Sequence, residues 1–244
     1  LGNELYFDAG PIYYEHELWK YNPVNNSLWE FVEIRPSLYS SNPQGITSVG
    51  TTLYFTAIGD CDFANPMCRP DKGTGRALWA YETTNETHWL VFDITPSHDG
   101  AIDKDDNGIT VVGTRLFFEA VDGVSGVELW THETMNNSTW QVADINPTSG
   151  CGWSLNELYY DDDCDGGAAH IIHVADRIYF EANNGMCGRE LWAHDMTTNA
   201  TWQVTDINPG IGDGGASYMT LIGDQLFFAA DDGVNGVLWS LNTS

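Results

Sequence analysis

The chain has 244 residues, of which 9 are Lys or Arg and 35 are Asp or Glu, so its formal net charge at pH 7 is −26. Such a charge excludes direct binding to nucleic acid or to an anionic membrane surface unless a cation bridges the two partners. No apolar run approaches the roughly 20 residues that span a bilayer, which excludes direct membrane insertion. Leu1 is neither an initiator Met nor part of a signal peptide, which predicts a mature or trimmed product.

One phrase recurs along the chain. A triplet of Leu or Ile, an aromatic residue and Phe begins at Leu5, Leu53, Leu116, Ile178 and Leu226. A Leu-Trp pair then ends at Trp19, Trp79, Trp130, Trp192 and Trp239. Four copies continue to a second Trp at Trp29, Trp89, Trp140 and Trp202, and then to an Ile-x-Pro segment that begins at Ile34, Ile94, Ile145 and Ile207. Self-similarity over the whole chain is typical of repeat architectures.

Each copy predicts four short strands, because aromatic and β-branched residues alternate between Gly, Asn, Asp and Pro. In the third copy these strands are ITVVG, RLFFEAV, VELWTHE and TWQVADI. The fold class is therefore all-β: a five-bladed β-propeller of four-stranded antiparallel blades. We expect one domain, with blades at about residues 1–36, 45–96, 108–147, 170–209 and 217–244.

The clearest copy of the phrase is in the third repeat, where VDGVSGVELW at 121–130 is followed by WQVADINP at 140–147. The phrase resembles the ELW-type repeats of secreted and cell-surface proteins, and it is similar to the kelch blade except that the kelch Gly-Gly is missing. The first copy departs from it, with WEFVEIRP at 29–36. The resemblance implies a propeller fold and an extracellular setting, but it implies no single activity.

Asn-x-Ser/Thr triplets occur in every repeat, in the turn after the third predicted strand. They begin at Asn25, Asn85, Asn136, Asn137, Asn199 and Asn242. A single such triplet is an ordinary turn sequence. Recurrence at one position in all five repeats predicts N-linked glycans along one rim of a secreted protein.

Two acidic loops on the opposite predicted rim have the spacing of calcium ligands. Asp161, Asp163 and Asp165 precede Gly166, and Asp103, Asp105 and Asn107 precede Gly108. Alternate oxygens on a tightly turning loop converge on one hard cation, which predicts calcium binding. The Glu that completes an EF-hand is absent, since Thr114 and Ile172 stand in its place. The alternative is a solvated acidic loop.

All five cysteines lie in loops of that rim, which indicates an oxidising compartment. The local pairs Cys61–Cys68 and Cys151–Cys164 are the predicted disulfides, and Cys187 is left over. Cys187 either replaces a partner in the second pair or cross-links two molecules.

Alignment of the repeats finds no catalytic set. His132 and His194 follow a blade Trp by two residues, where Tyr21 and Tyr81 stand in other repeats, so packing roles are predicted. Three repeats place an aspartate at one shared position, where a structural hydrogen bond is expected: Asp93, Asp144 and Asp206.

His170 and His173 are three residues apart in a predicted strand, so they should point to opposite faces and not share a metal. The chain is therefore predicted not to be an enzyme.

The leading hypothesis is a secreted, calcium-stabilised, N-glycosylated structural or adhesive module of an extracellular surface or filament. The first repeat lacks its first strand and the last lacks its fourth, which predicts either self-association into a polymer or surface layer by strand exchange, or a longer polypeptide that supplies them. The alternatives are a lectin that binds glycans at one site per blade, and an enzyme that acts on polysaccharide.

Overall fold

The structure is a computed structural model that describes residues 1–10, 16–32, 34–35, 40–59, 76–93, 108–122, 125–147 and 167–244. All regular elements in these residues are β-strands. They form five sheets, and within each sheet the strands are neighbours in chain order. No helix in the described part of the chain has the length and apolarity needed to cross a membrane.

The sheets follow the five repeats. The first contains β1 (Leu5–Ala9), β2 (Glu17–Asn22) and β3 (Ser27–Val32). The second contains β4 (Gln44–Val49), β5 (Thr52–Ile58), β6 (Arg76–Glu82) and β7 (Thr87–Phe92). The third contains β8 (Thr110–Val112), β9 (Arg115–Val121), β10 (Val127–Glu133) and β11 (Ser138–Gln141). The fourth contains β12 (Ala169–Val174), β13 (Arg177–Asn183), β14 (Arg189–Asp195) and β15 (Ala200–Gln203). The fifth contains β16 (Ser217–Ile222), β17 (Gln225–Asp231) and β18 (Gly236–Asn242).

The predicted fold class is confirmed: the chain is an all-β propeller whose described residues form three four-stranded sheets and, at its two ends, two three-stranded sheets. The chain forms two compact units, Leu1–Leu116 with His132–Thr139, and Phe117–Thr131 with Trp140–Ser244. The description of the chain as one domain therefore stays a prediction.

In the three four-stranded sheets the second strand is buried on both faces. In β5 the five successive residues Leu53 to Ala57 are all buried, whereas the outer strand β7 is mostly exposed. Strict alternation of buried and exposed residues is lost because neighbouring sheets pack face to face. Leu18 of the first sheet, for example, belongs to one core cluster with Phe55 and Tyr81 of the second.

A buried glutamate closes the turn after the fourth strand. Glu190 is fully buried, and its carboxylate accepts the backbone N–H groups of Ile207 at 2.8 Å and Asn208 at 3.1 Å. The same arrangement joins Glu128 to Ile145 (3.0 Å) and Glu17 to Ile34 (3.1 Å). An ionised acceptor forms stronger hydrogen bonds than a neutral one. The Glu that precedes the Leu-Trp pair is thus a structural residue in the three repeats that carry it.

In the third and fourth sheets the aspartates expected to make a structural hydrogen bond, Asp144 and Asp206, do not have this role. Asp144 and Asp206 are both exposed, whereas the buried carboxylate beside them belongs to the glutamate. The expected structural hydrogen bond of this turn is therefore made by Glu128 and Glu190.

Candidate binding site at the first strands of the fourth and fifth sheets

A β-bulge interrupts the first strand in three sheets, with register shifts between Gln44 and Thr47, Ala169 and Ile172, and Ser217 and Thr220. One residue of each bulge has a left-handed backbone. It is Gly45 in β4 (φ 60°), His170 in β12 (φ 53°) and Tyr218 in β16 (φ 54°). Glycine adopts this conformation without cost, whereas a side chain with a Cβ is strained there. His170 and Tyr218 therefore hold a strained backbone at a position that suits glycine.

The two strained residues place their rings side by side. The ring centroids of His170 and Tyr218 are 6.2 Å apart, and the ring planes are inclined by 32°. His170 is exposed, and Tyr218 is 83% exposed. The bulges of two neighbouring sheets thus place two adjacent aromatic rings on one solvent-exposed surface.

Glu181 supplies a carboxylate beside this surface. It is 8% exposed, and its Oε2 accepts the backbone N–H of Ala216 at 3.0 Å. The same oxygen lies 4.0 Å from Nε2 of His170, and Oε1 lies 3.6 Å from Nη1 of Arg189. The guanidinium compensates the buried charge, and the backbone hydrogen bond fixes the carboxylate in place.

The loop before β16 is tied to the same group of residues. The backbone N–H of Arg189 donates to Oδ1 of exposed Asp213 at 2.8 Å. The backbone N–H groups of Gly214 and Gly215 donate to the carbonyl oxygen of Arg189, both at 2.8 Å. The backbone that carries Tyr218 is thereby connected to β14. We call His170, Glu181, Arg189 and Tyr218 the first-strand site.

Polar pairs equivalent to Glu181 and Arg189 occur in other sheets. In the first sheet Asp8 lies 3.0 Å from Nδ1 of His16, and in the second Arg76 donates to Oγ1 of Thr56 at 3.1 Å. A polar pair at this position is thus shared by the first, second and fourth sheets, whereas the exposed rings distinguish the fourth and fifth sheets.

Sequence reasoning missed this site. Strand alternation predicts that His170 and His173 point to opposite faces, but the bulge between Ala169 and Ile172 interrupts that alternation. Tyr218 carried no predicted role. Alignment of the first strands supplies the signal, because Gly45 and Gly108 stand where the last two repeats have His and Tyr.

The two aligned histidines have packing roles, as expected. His132 and His194 are 1% and 3% exposed. Nδ1 of His132 lies 2.9 Å from Oγ1 of Thr139, and Nδ1 of His194 lies 2.9 Å from Oγ1 of Thr201. Burial lowers the pKa of His132, while the charge of Glu133 acts in the opposite direction.

The predicted glycosylation residues all lie on exposed positions next to the third strand: Asn25, Asn85, Asn136, Asn137, Asn199 and Asn242. In Asn25, Asn85 and Asn136 the Oδ1 atom accepts the backbone N–H two residues on, at 3.1 Å in each case. These bonds use Oδ1, whereas a glycan is attached through the side-chain nitrogen.

The predicted calcium ligands Asp161, Asp163, Asp165, Asp103, Asp105 and Asn107 lie outside the described residues. So do the predicted disulfide residues Cys61, Cys68, Cys151 and Cys164. Cys187 is described, is partly exposed and has no disulfide partner among the residues that the structure describes. Among the described residues, no three or more His, Cys, Asp or Glu side chains are grouped as metal ligands would be.

Solved structures of other proteins share the propeller fold. TolB from Acinetobacter baumannii superposes with a TM-score of 0.54 at 12% identity, over 99% of this chain and 49% of TolB. A prolyl endopeptidase gives 0.56 at 10% identity, over 98% of this chain and 32% of that enzyme. A puromycin-hydrolyzing peptidase from Mycobacterium tuberculosis gives 0.54 at 9% identity, over 99% of this chain and 34% of the peptidase.

These likenesses show the fold alone. The chain spans about half the length of that TolB and about a third of each peptidase. No protein-family model and no curated protein matches the chain. Membership of the ELW-type repeat family stays a prediction.

Proposed function

We propose that the chain is a secreted, N-glycosylated and calcium-stabilised module that serves a structural or adhesive role on an extracellular surface, without enzymatic activity. The observation that carries the proposal is the recurrence of an exposed Asn-x-Ser/Thr triplet beside the third strand of every sheet. A glycan needs an exposed turn in a secreted protein, and each repeat offers one.

The turn geometry supports attachment at several of these residues. Asn85, for example, is exposed, and its Oδ1 accepts both the backbone N–H of Thr87 at 3.1 Å and its Oγ1 hydroxyl at 2.6 Å. The asparagine side chain is therefore held at the surface by its own triplet, and a sugar attached there would extend into solvent.

Charge gives a reason for calcium in adhesion. Two copies that each carry −26 repel one another, and the repulsion is reduced when divalent cations bind the acidic loops. Asp161, Asp163 and Asp165, with Asp103, Asp105 and Asn107, are the residues that would hold calcium by their spacing. Self-association into a surface layer or polymer would then depend on calcium.

Beads covalently coated with the purified protein test the adhesive role, with a second copy of the chain as the probe. We expect the beads to aggregate with calcium and to disperse with chelator. Beads coated with the variant Asp161→Asn/Asp163→Asn/Asp165→Asn should aggregate less. Beads that stay dispersed in calcium, together with light scattering from a monomer at every concentration, would contradict self-association.

A glycan-binding function is the second candidate, because the exposed rings of His170 and Tyr218 provide a specific surface for it. Two of the similar structures are peptidases, but at 9% and 10% identity they support the fold and no reaction.

A further inference from the structure

We propose that the first-strand site binds a neutral carbohydrate, with a pyranose ring stacked on the face of Tyr218 and its hydroxyl groups bonded by the polar side chains beside it. This inference is independent of the adhesive role, because it concerns a different part of each sheet from the glycosylation turns. In the fourth sheet His170 lies near the start of β12, whereas Asn199 lies at the opposite end, between β14 and β15.

Backbone strain is the first argument for a ligand. Two neighbouring repeats place a ring at a left-handed position, with φ 53° at His170 and 54° at Tyr218, where glycine would fit without strain. Strained residues that persist tend to mark functional sites. Packing does not explain Tyr218, because 83% of its surface is exposed.

The separation of the rings defines how a ligand would lie. Their centroids are 6.2 Å apart, which is the spacing of two rings in contact, so a ligand does not fit between them. The ligand must lie across the outward face, which favours a flat molecule with an apolar side. The axial C–H groups of a pyranose ring form such a side.

The polar groups define the rest of the ligand. Glu181 is held by the N–H of Ala216 and lies 3.6 Å from the guanidinium of Arg189, so acceptor and donor atoms are adjacent. Asp213 is exposed beside them, with its Oδ1 on the backbone N–H of Arg189. A few fixed polar groups next to an aromatic surface match a ring that carries hydroxyl groups. Anionic ligands are disfavoured by Glu181, by Asp213 and by the net charge of −26.

Tyr218→Gly is the informative variant. Glycine occupies the equivalent position at Gly45, so the substitution removes the ring and relieves the left-handed strain without removing a buried group. His173→Ala is the control, because His173 is exposed on β12, the strand that carries His170, but lies outside the site. Thermal melting should show that both variants remain folded.

The test is a glycan array followed by titration of the best neutral sugar against the whole chain, observed by calorimetry. We expect saturable binding that falls by at least about tenfold in Tyr218→Gly and is unchanged in His173→Ala. Three results would overturn the proposal: no saturable binding to any sugar, equal affinity in Tyr218→Gly, or binding only of cationic amines used as a parallel probe. Each of these results can occur whether or not the coated beads aggregate. Failure of the carbohydrate proposal can therefore be distinguished from failure of the adhesive role.

Discussion

A hydrogen bond of 2.8 Å joins a buried carboxylate oxygen of Glu190 to the backbone N–H of Ile207, 17 residues further along the chain. The other oxygen accepts the N–H of Asn208 at 3.1 Å. Two backbone donors at the turn after the fourth strand thus depend on one fully buried side chain.

Removal of this carboxylate should be costly. We expect Glu190→Ala to lower the free energy of unfolding by about 3 kcal/mol, because the N–H groups of Ile207 and Asn208 lose their acceptor. Asp206→Ala is the control in the same turn, and since Asp206 is exposed it should change stability by less than about 0.5 kcal/mol. Urea denaturation measures both. Equal effects of the two substitutions would show that Glu190 does not close the turn.

Local sequence pattern was sufficient to predict the strands, because each repeat contains alternating aromatic and β-branched residues bounded by turn residues. It was not sufficient to predict the role of Glu190, since its partner lies 17 residues away and the exposed Asp206 was an equally plausible acceptor from sequence. The first-strand site was missed for a different reason. Nothing in the sequence of the fifth repeat indicates a left-handed backbone at Tyr218. It is indicated only when the repeats are aligned, because Gly45 occupies the equivalent position in the second repeat.

Close backbone packing fixes the loop before the first-strand site. A Cβ added to Gly188 would collide with the carbonyl oxygen of Gly212, whereas one added to Gly223 would meet no atom within 4 Å. Both glycines have positive φ, 68° and 59°, so the conformational strain of an alanine is similar at the two positions.

We therefore expect Gly188→Ala to destabilise the protein by about 2 kcal/mol more than Gly223→Ala, because only the first also displaces backbone. Chemical denaturation of the two variants measures the difference. If they were equally stable, the contact between Gly188 and Gly212 would have no role in stability.

The buried histidine in the third sheet should make stability depend on pH. Burial lowers the pKa of His132 below its ordinary value, so the folded protein binds this proton less readily than the unfolded chain. The contribution of neutral His132 to the free energy of unfolding is therefore fully present above the pKa of the unfolded chain, about 6.5. It is lost as the pH falls from there towards the pKa of the folded protein.

We expect wild-type stability to decrease between about pH 7.5 and about pH 5.5, and the decrease to be smaller in His132→Tyr. Tyrosine occupies the equivalent position at Tyr21 and Tyr81, so this variant matches the repeat. Denaturation curves at the two pH values measure the effect. An identical pH dependence in the variant would exclude His132 as its source.

Calcium removal should destabilise the protein if the acidic loops bind the ion. We expect chelator to lower the melting temperature by about 5 °C, because Asp161, Asp163 and Asp165 then repel one another and the binding free energy is lost. The triple variant that replaces these residues with Asn should respond less to chelator. An unchanged melting temperature, with no metal detected in the native protein, would refute the calcium assignment.

Site-resolved mass spectrometry of glycopeptides, from protein purified from the medium and cell surface of its natural host, tests the proposed function most directly. We expect glycans on the turns that carry Asn25, Asn85, Asn136 or Asn137, and Asn199. Asn85→Asp should remove one glycan while retaining the oxygen that accepts the N–H of Thr87, so the turn should keep its fold. Unmodified asparagine at every triplet, in a protein recovered only from inside the cell, would contradict a secreted glycoprotein module.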